Sequence, residues 1–442
     1  MTVLALFLIL VLSFADGSFS SAFFMLIIYC TGIGLTYTIP SEYREYGKRL
    51  FHITFIIYVL LAFIVSWSFS VYDYFIVSDS SRYIESYINR HTFFYNKEDF
   101  IYCYFYFSDT NLLYNAYLNI VSMFANNELG GMTIFDMTLC QTIWGILSAI
   151  VLFRICLRHL KIEKAYKYTL CFTLCSLFLF YSTVIIRDIL ICFLYLIAFN
   201  VVDQKFKLSG VLKIFIVIIL AWGVRLYSGI FAGAFLAYYV YVKVHNTRQK
   251  NIVTVLFGLV LVLAASFIMT SSLMEQTTAE LNEYEELSAE RSAGGVVSKL
   301  QSLPPGISHF AIVLFSMIRP LPPLGIYEKV ASFSNFMMST MNLVAGFFWF
   351  VVFYSLLYLL FVKKYLAKIP FEKVALLVVC LVFMLANASH PDLRRMLPVF
   401  PILFVLFVDI CKEENETIFG SRISKRLMML YIVLAIILLP LT

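Results

Sequence analysis

The chain has few charged residues for its length. Only 14% of its 442 residues are Asp, Glu, Lys or Arg, whereas 61% are hydrophobic. Soluble domains are usually about one quarter charged, so this composition excludes an ordinary soluble domain. Together with a mean hydropathy of +0.87, it predicts a single integral membrane domain over residues 1–442.

Motifs that bind nucleotides or metals are also missing. The sequence has no P-loop, no GxGxxG and no HExxH, and no DxD or ExD pair opens its first long polar loop. Its nine cysteines are scattered without CxxC spacing, which argues against a disulfide framework. These absences predict a protein with no cofactor and no metal site. The lack of an evident inverted repeat disfavours a secondary transporter.

Apolar runs fill most of the chain. They predict an all-α fold, namely a polytopic transmembrane helix bundle of about 13 spans. The runs lie at about 2–14, 19–39, 50–70, 134–157, 166–183, 186–202, 210–225, 227–242, 252–269, 337–362, 373–388, 396–410 and 427–441. The first run lacks the basic segment and cleavage site of a signal peptide, so we expect it to remain as a span. Two pairs, 166–183 with 186–202 and 210–225 with 227–242, predict tight hairpins.

Basic residues predict the orientation of this bundle. Most of the 33 lysines and arginines fall in one set of loops. These loops lie at about 44–49, 154–167, 205–213, 243–250, 363–373 and 412–426. Because Lys and Arg are enriched in cytoplasmic loops, we predict that this set and the N-terminus are cytoplasmic.

Two long loops, at about 71–133 and 270–336, are then predicted to be external. The first is rich in Tyr, Asn, Asp and Ser, side chains that stack on and hydrogen-bond to sugars, and its apolar stretches fit an interfacial helix. The second contains the apolar stretch HFAIVLFSMI. That stretch is too short to span a bilayer, so it predicts a re-entrant or interfacial helix.

Arginines stand within or beside the apolar runs, all on the predicted outer side. They are Arg187, Arg225, Arg319, Arg394 and Arg395. A guanidinium stays charged when it loses water and binds phosphate through two hydrogen bonds, so the set predicts a pyrophosphate-binding site. The alternatives are structural. Arg187 and Asp188 could form an ion pair that caps an external hairpin, and Arg225 could reach the membrane interface. Arg394 and Arg395 could form a solvated turn with Asp392.

Candidate bases lie on the same side. We favour His390 and Asp79: His390 adjoins the arginines, which favour its neutral form, and Asp79 follows the third run. Asp392 and Asp188 are supporting candidates, and we expect Asp188 to pair with its neighbour Arg187, which makes it a poorer base. The alternatives are a helix cap for Asp79 and an exposed loop position for His390.

The order of these motifs resembles the Wzy-type and EpsG-like polymerases of bacterial surface polysaccharide, which act on O-antigen, capsule or exopolysaccharide. The resemblance covers most of the chain. It rests on Asp79 followed by Tyr83, the Arg-Asp hairpin Ser182–Leu190, the R-x-x-S-G of Arg225–Gly229, the R-P-x-P of Arg319–Pro322 and the arginine-rich turn Arg394–Pro398.

This resemblance implies a GT-C-like membrane glycosyltransferase at the outer face of the bacterial inner membrane. It implies an inverting, metal-independent joining of repeat units carried on undecaprenyl pyrophosphate. The arginines would stabilise the leaving pyrophosphate, and a base would activate the acceptor hydroxyl. The expected partners are these lipid-linked glycans, membrane lipids and a chain-length regulator protein, with no nucleic acid.

Two other functions remain open at the level of sequence. A ligase that transfers lipid-linked oligosaccharide onto lipid A core would share the same site. A flippase or transporter of an anionic lipid conjugate would not be an enzyme. It should carry its charges near the membrane midplane, whereas the arginines are predicted near the outer ends of the spans.

Overall fold

A computed structural model describes residues 1–72, 83–84, 87–88, 112–243, 296–304, 306–318, 333–388, 393–413 and 422–438. Every regular element in these ranges is helical. The α-helices are α1 Thr2–Asp16, α2 Phe19–Thr36, α3 Arg44–Tyr72, α4 Leu112–Glu128, α5 Ile134–His159, α6 Ile162–Cys175, α7 Leu177–Ser182, α8 Asp188–Val202, α9 Leu208–Val224, α10 Leu226–Lys243, α11 Val296–Gln301, α12 Ile307–Ser316, α13 Phe333–Leu357, α14 Phe371–Ala386, α15 Leu393–Met396, α16 Phe400–Glu413 and α17 Arg422–Leu438.

The predicted all-α fold is confirmed for the described residues. Each predicted apolar run within them coincides with one helix or with consecutive helical segments, while the run at 252–269 lies outside them. Among the described helical segments, four are long and apolar enough to cross a membrane. These are Phe19–Thr36, Ser41–Trp67, Ile134–His159 and Leu343–Val362.

Several helices have an apolar outer surface. On α1, Phe7 and Phe14 are 62% and 91% exposed, and α9 and α17 expose further Leu, Ile, Val or Met side chains. Soluble monomers rarely expose apolar surface this extensive, whereas lipid tails are as apolar as the side chains themselves. The surface fits a protein embedded in a bilayer.

Two helices, α5 and α8, form the centre of the bundle. Most of their residues are buried, and α5 packs against α2, α3, α6 and α8. A capping box begins α5: the Asp136 amide donates to the Thr133 hydroxyl, and the Thr133 amide donates to the Asp136 carboxylate. The two bonds satisfy amides that a helix start leaves unpaired. They therefore fix where α5 begins.

The C-terminal ends of α5 and α8 meet in a network of ion pairs. His159 lies 3.0 Å from Asp203 (Nε2–Oδ1) and 3.5 Å from Asp409 (Nδ1–Oδ2). Asp409, on α16, also pairs with Lys373 of α14 at 2.8 Å. Arg158 pairs with Asp203, again at 2.8 Å. The network holds four helices together, and we call this end of the bundle the His159 end.

The central helix α8 is much shorter than α5. Both finish at the His159 end, but α5 has 26 residues and α8 has 15. At about 1.5 Å of rise per residue, α8 begins roughly 15 Å short of the far end of α5. The 3.1 Å hydrogen bond from Thr142 of α5 to the Ser182 carbonyl agrees with this offset. Asp188, the first residue of α8, is therefore recessed inside the bundle.

A break in the helical backbone leads into α8. After α7 ends at Ser182, residues 183–186 have the sequence TVII. All four side chains are β-branched, and such side chains lose rotamer freedom in a helix, which disfavours a continuous helix here. All of them are buried. The hairpin that carries Arg187 and Asp188 is thus a buried element, in contrast to the external tip that was one alternative from the sequence.

Parts of the two predicted external loops are helical. Within 71–133, the 17-residue helix α4 buries one face, formed by Tyr114, Leu118, Ser122 and Ala125. Within 270–336, α12 coincides with the short apolar stretch and has 10 residues, about 15 Å at the usual helical rise. That length is too short to span a bilayer. The external location of both loops stays a prediction.

Candidate functional site

Asp188 is the centre of a buried charged cluster. Its Oδ1 lies 3.1 Å from Nη1 of Arg225, and its Oδ2 lies 3.7 Å from Nε of Arg394. Asp188 is 2% exposed and Arg225 is 6% exposed. Both carboxylate oxygens therefore face a guanidinium from a distant part of the chain. The sequence predicted Arg187 as the partner of Asp188; the structure places Arg225 and Arg394 within ion-pair distance of it, while Arg187 acts on the carboxylate electrostatically.

Arg187 and Arg395 complete what we call the arginine cluster: Arg187, Arg225, Arg394 and Arg395. All four guanidinium groups act electrostatically on the Asp188 carboxylate. Four positive side chains therefore act on one carboxylate at this point of the chain. Planar guanidinium groups bind phosphate oxygens through two parallel hydrogen bonds. The cluster has the chemistry of an anion-binding site.

Each arginine stands where a helix is interrupted. Arg187 closes the backbone break before α8, and Arg225 is an extended residue (φ −161°, ψ 123°) between α9 and α10. Arg394 and Arg395 lie on the four-residue helix α15, before a 3-10 turn that contains Pro398. Irregular backbone at membrane depth is tolerated where it is buried in protein or lines a cavity. The interruptions are what allow the arginines to meet inside the bundle.

The burial of Arg225, Arg394 and Arg395 differs from what the alternatives considered from sequence would give, namely a membrane-interface position for Arg225 and a solvated turn for the other two. A side chain that reaches the membrane interface would be exposed, but Arg225 is buried against Asp188. Arg394 and Arg395 are partly buried, and a solvated turn would leave them in water. Packing of α8 against the 3-10 turn after α15 explains their burial.

Arg187 has a donor without a hydrogen-bond partner among the described residues. Nη1 of Arg187 is buried and forms no hydrogen bond with any residue that the structure describes. Buried polar groups in proteins are nearly always hydrogen-bonded. The side chain as a whole is partly exposed, so a ligand oxygen can approach it. Arg187 is therefore better placed to bind a ligand than to hold Asp188.

Tyrosines border the arginine cluster. The Tyr227 ring lies against Arg225, with 4.7 Å between the guanidinium carbon and the ring centroid, a cation–π contact. Tyr114 of α4 interacts electrostatically with Arg187. Tyr83 packs edge-on against Tyr114, with ring centroids 5.1 Å apart. Tyrosine offers an apolar ring and a polar hydroxyl, a combination that suits the faces and edges of a sugar.

Gln141 places a neutral polar group next to this cluster. It lies on α5, is 1% exposed, and its Oε1 accepts a 2.9 Å hydrogen bond from the Tyr114 hydroxyl. Its Nε2 has no hydrogen-bond partner in the described part of the chain. None of Gln141, Tyr114 and Tyr227 is among the residues predicted from sequence. An amide within the apolar run 134–157 was the signal that could have identified Gln141.

The predicted site residues fall into two groups. The structure brings together Arg187, Asp188, Arg225, Arg394 and Arg395, with Tyr83 joined to them through Tyr114. The predicted residues outside the described ranges are Asp79, Arg319, His390 and Asp392. The roles of both groups in catalysis or pyrophosphate binding stay predictions.

Chemically, the described site can hold an anion and a neutral polar group side by side. Its arginines offer forked donors for phosphate oxygens, and its amide and tyrosines offer neutral contacts. Within the described ranges, no three His, Cys, Asp or Glu side chains come together as metal ligands. No protein family, curated protein or solved structure matches this chain.

Proposed function

We propose that this protein is a membrane glycosyltransferase that joins oligosaccharide repeat units carried on undecaprenyl pyrophosphate. The proposal depends above all on one observation, the convergence of the arginine cluster on a single buried carboxylate. A pyrophosphate carries negative charge on closely spaced oxygens, which planar guanidinium groups bind in a bidentate manner. The adjoining tyrosines would contact the attached sugars.

The distribution of basic residues supports an active site that faces outward. Several lysines follow or contact the residues of the His159 end, namely Lys161, Lys205, Lys207, Lys373 and Lys412. By the positive-inside rule this end is cytoplasmic. The arginine cluster then opens toward the periplasmic or outer face of a bacterial inner membrane. The proposed topology has about 13 spans, with loops 71–133 and 270–336 outside.

In the proposed mechanism, the arginine cluster binds the pyrophosphate of the donor, a growing glycan on its lipid. As the bond between the anomeric carbon and the phosphate oxygen breaks, negative charge grows on the leaving pyrophosphate, and the fixed guanidinium groups stabilise it. His390 or Asp79 removes a proton from a hydroxyl of the acceptor repeat unit. That oxygen attacks the anomeric carbon from the opposite face. The products are an inverted glycosidic bond, a longer lipid-linked glycan and free undecaprenyl pyrophosphate.

Asp188 is unsuited to be the base in this mechanism. Both of its oxygens are engaged by guanidinium groups, which stabilise the carboxylate without its proton. Its role is to hold Arg225 and Arg394 in position. The base is therefore sought at His390 or Asp79.

A carrier of an anionic lipid conjugate is the second candidate, because the cluster is recessed. Asp188 begins roughly 15 Å below the far end of α5, by the usual helical rise, and carriers hold charged groups within the membrane. The recess weakens the argument from sequence that the charges lie only at the span ends. A ligase that transfers glycan onto lipid A core would share the same pyrophosphate site.

Deletion of the gene, followed by a gel of surface glycan, separates these functions. Loss of a polymerase leaves single repeat units on the surface, loss of a ligase leaves no glycan on lipid A, and loss of a carrier leaves lipid-linked units inside. We expect the first pattern. Complementation should succeed with the wild-type gene and with Arg158→Ala, a control at the His159 end, and should fail with Arg187→Ala. A normal ladder of chain lengths in the deletion strain would refute the proposed function.

A further inference from the structure

Two buried side-chain donors without hydrogen-bond partners in the described part of the chain lie near Tyr114. They are Nη1 of Arg187 and Nε2 of Gln141. Tyr114 connects them, because its hydroxyl donates to Gln141 at 2.9 Å and it interacts electrostatically with Arg187. Tyr114 and Gln141 are 0% and 1% exposed. Both donors therefore interact with, or lie within electrostatic reach of, the same tyrosine.

Gln141 keeps one polar atom without a partner whichever way its amide is oriented. The two ends of an amide are assigned from their hydrogen bonds. With Oε1 accepting from Tyr114, Nε2 has no partner; with the amide turned over, Nε2 would donate to the hydroxyl and Oε1 would have none. A buried side-chain amide that leaves one of its polar atoms without a hydrogen bond lowers the stability of the protein. Proteins retain groups that break such rules mainly at functional sites.

We infer that Gln141 is a ligand-binding residue whose amide hydrogen-bonds the first sugar of the lipid-linked glycan. This inference depends on the proposed function. A sugar attached to a phosphate at Arg187 has its ring hydroxyls two or more bonds beyond the anomeric carbon. It extends past Tyr114 to the Gln141 amide. Arg187 is the partly exposed member of the three, so the ligand enters on that side.

The competing explanation is that Gln141 serves only to hold Tyr114 in place. A double variant compared with Tyr114→Phe alone separates the two roles, because both lack the Tyr114 hydroxyl and only the double variant lacks the Gln141 amide. Tyr114→Phe with Gln141→Leu removes both partners of the hydrogen bond, and removal of both partners by apolar groups of similar shape leaves stability nearly unchanged. A purely structural pair would then be dispensable for ligand binding.

Tyr117→Phe is the matched control for this double variant. Tyr117 is on the same helix, α4, and its hydroxyl donates to the Cys140 carbonyl of α5 at 2.9 Å. The substitution therefore removes a buried hydroxyl and a hydrogen bond between the same two helices. It changes no side-chain donor or acceptor on α5.

The experiment measures lipid binding by the full-length protein in nanodiscs. The probes are undecaprenyl pyrophosphate and the same lipid carrying glucose, galactose or N-acetylglucosamine. We expect the wild type to bind at least one glycosylated lipid more tightly than the bare lipid. The double variant should weaken that binding by roughly three- to tenfold, as expected for one hydrogen bond, and should bind the bare lipid normally. Tyr117→Phe should bind all four lipids like the wild type.

Two sets of results would overturn different claims. Equal wild-type affinity for all four lipids, or unchanged affinities in the double variant, would overturn the role of Gln141. Failure of the wild type to bind any of them, or no effect of Arg187→Ala on the bare lipid, would overturn the proposed function. Should the double variant fail to fold, Gln141→Asn provides the test, because it withdraws the same amide by one methylene. It too should weaken only the glycosylated lipid.

Discussion

The Asp188 carboxylate lies 3.1 Å from the Arg225 guanidinium, although the two residues are 37 positions apart in the chain. Asp188 begins α8, where its negative charge also complements the helix dipole, and Arg225 lies between α9 and α10. The pair therefore fixes the start of one central helix against the turn between two others. Arg394 adds a third segment on the second carboxylate oxygen. The carboxylate organises the arginine cluster.

Replacement of Asp188 by Asn should destabilise the protein strongly. It removes the charge that pairs with Arg225 and Arg394, and breaking a buried ion pair by removing one partner typically costs about 3–5 kcal/mol. Thermal unfolding in detergent measures the change. Arg158→Ala is the control: it removes a less buried ion pair at the His159 end, which is worth roughly 1 kcal/mol or less. Equal loss of stability in both variants would contradict the organising role of Asp188.

Replacement of Arg187 by Lys should abolish most transferase activity although the charge is retained. Lysine cannot reproduce the planar fork that binds two phosphate oxygens. The measurement is polymer formation from purified lipid-linked repeat units in proteoliposomes, with Arg158→Lys as the control. Arg319→Lys should behave like Arg187→Lys if it too contacts the pyrophosphate. Full activity of both Arg187→Lys and Arg319→Lys at normal protein levels would leave only a structural role for these arginines.

The helices and the charged segments could be predicted from sequence, for separate physical reasons. Apolar runs such as 134–157 identify helices because lipid requires every backbone group to be paired within the segment. Arg187 and Arg225 stand out because charge within an apolar run is rare. The choice of partner for Asp188 could not be predicted. It depends on how α8 packs against α10 and the turn after α15, and no short-range pattern encodes that packing.

The depth of the site within the helix bundle could not be predicted from the sequence either. The lengths of the apolar runs around Arg187 do not show where their hairpin ends relative to α5. The recess results from the pairing of His159 with Asp203 at one end and the shortness of α8. The amide of Gln141 was visible in the sequence, but only its orphaned nitrogen and the Tyr114 contact give it significance.

The predicted topology can be tested by cysteine labelling. A cysteine at Glu286, in the loop predicted to be external, should react with an impermeant maleimide added to intact cells. A cysteine at Lys207, beside the His159 end, should react only after the membrane is opened, because basic loops stay cytoplasmic. Labelling of the chain without added cysteines supplies the background. The reverse pattern would put the arginine cluster on the cytoplasmic side and remove the basis of the proposed reaction.

Transfer should continue in the presence of a chelator. In the proposed mechanism guanidinium groups supply the charge stabilisation that a divalent cation supplies in other transferases. Polymer yield with and without EDTA measures this. Strict dependence on added metal would be incompatible with the mechanism.

Loss of the base should slow the reaction severely. Removal of a general base typically lowers the rate by about 100-fold or more, so either His390→Ala or Asp79→Ala should show at least that loss in the proteoliposome assay. Asp392→Ala, a carboxylate two residues after His390, is the comparison. Near-normal rates for both His390→Ala and Asp79→Ala would mean that the base lies elsewhere.

With the proposed topology, the shortness of α8 should also make the site sensitive to membrane voltage. With the His159 end cytoplasmic, an anion that travels from outside to the start of α8 crosses part of the electric field of an energised bacterial membrane, whose interior is negative. If that part is about one third, each negative charge meets an opposing energy of roughly 0.8 kcal/mol per 100 mV. The guanidinium groups of the arginine cluster must offset this as well as the loss of water. A collapse of the potential should therefore tighten the binding of pyrophosphate lipids, and slow release of the spent carrier.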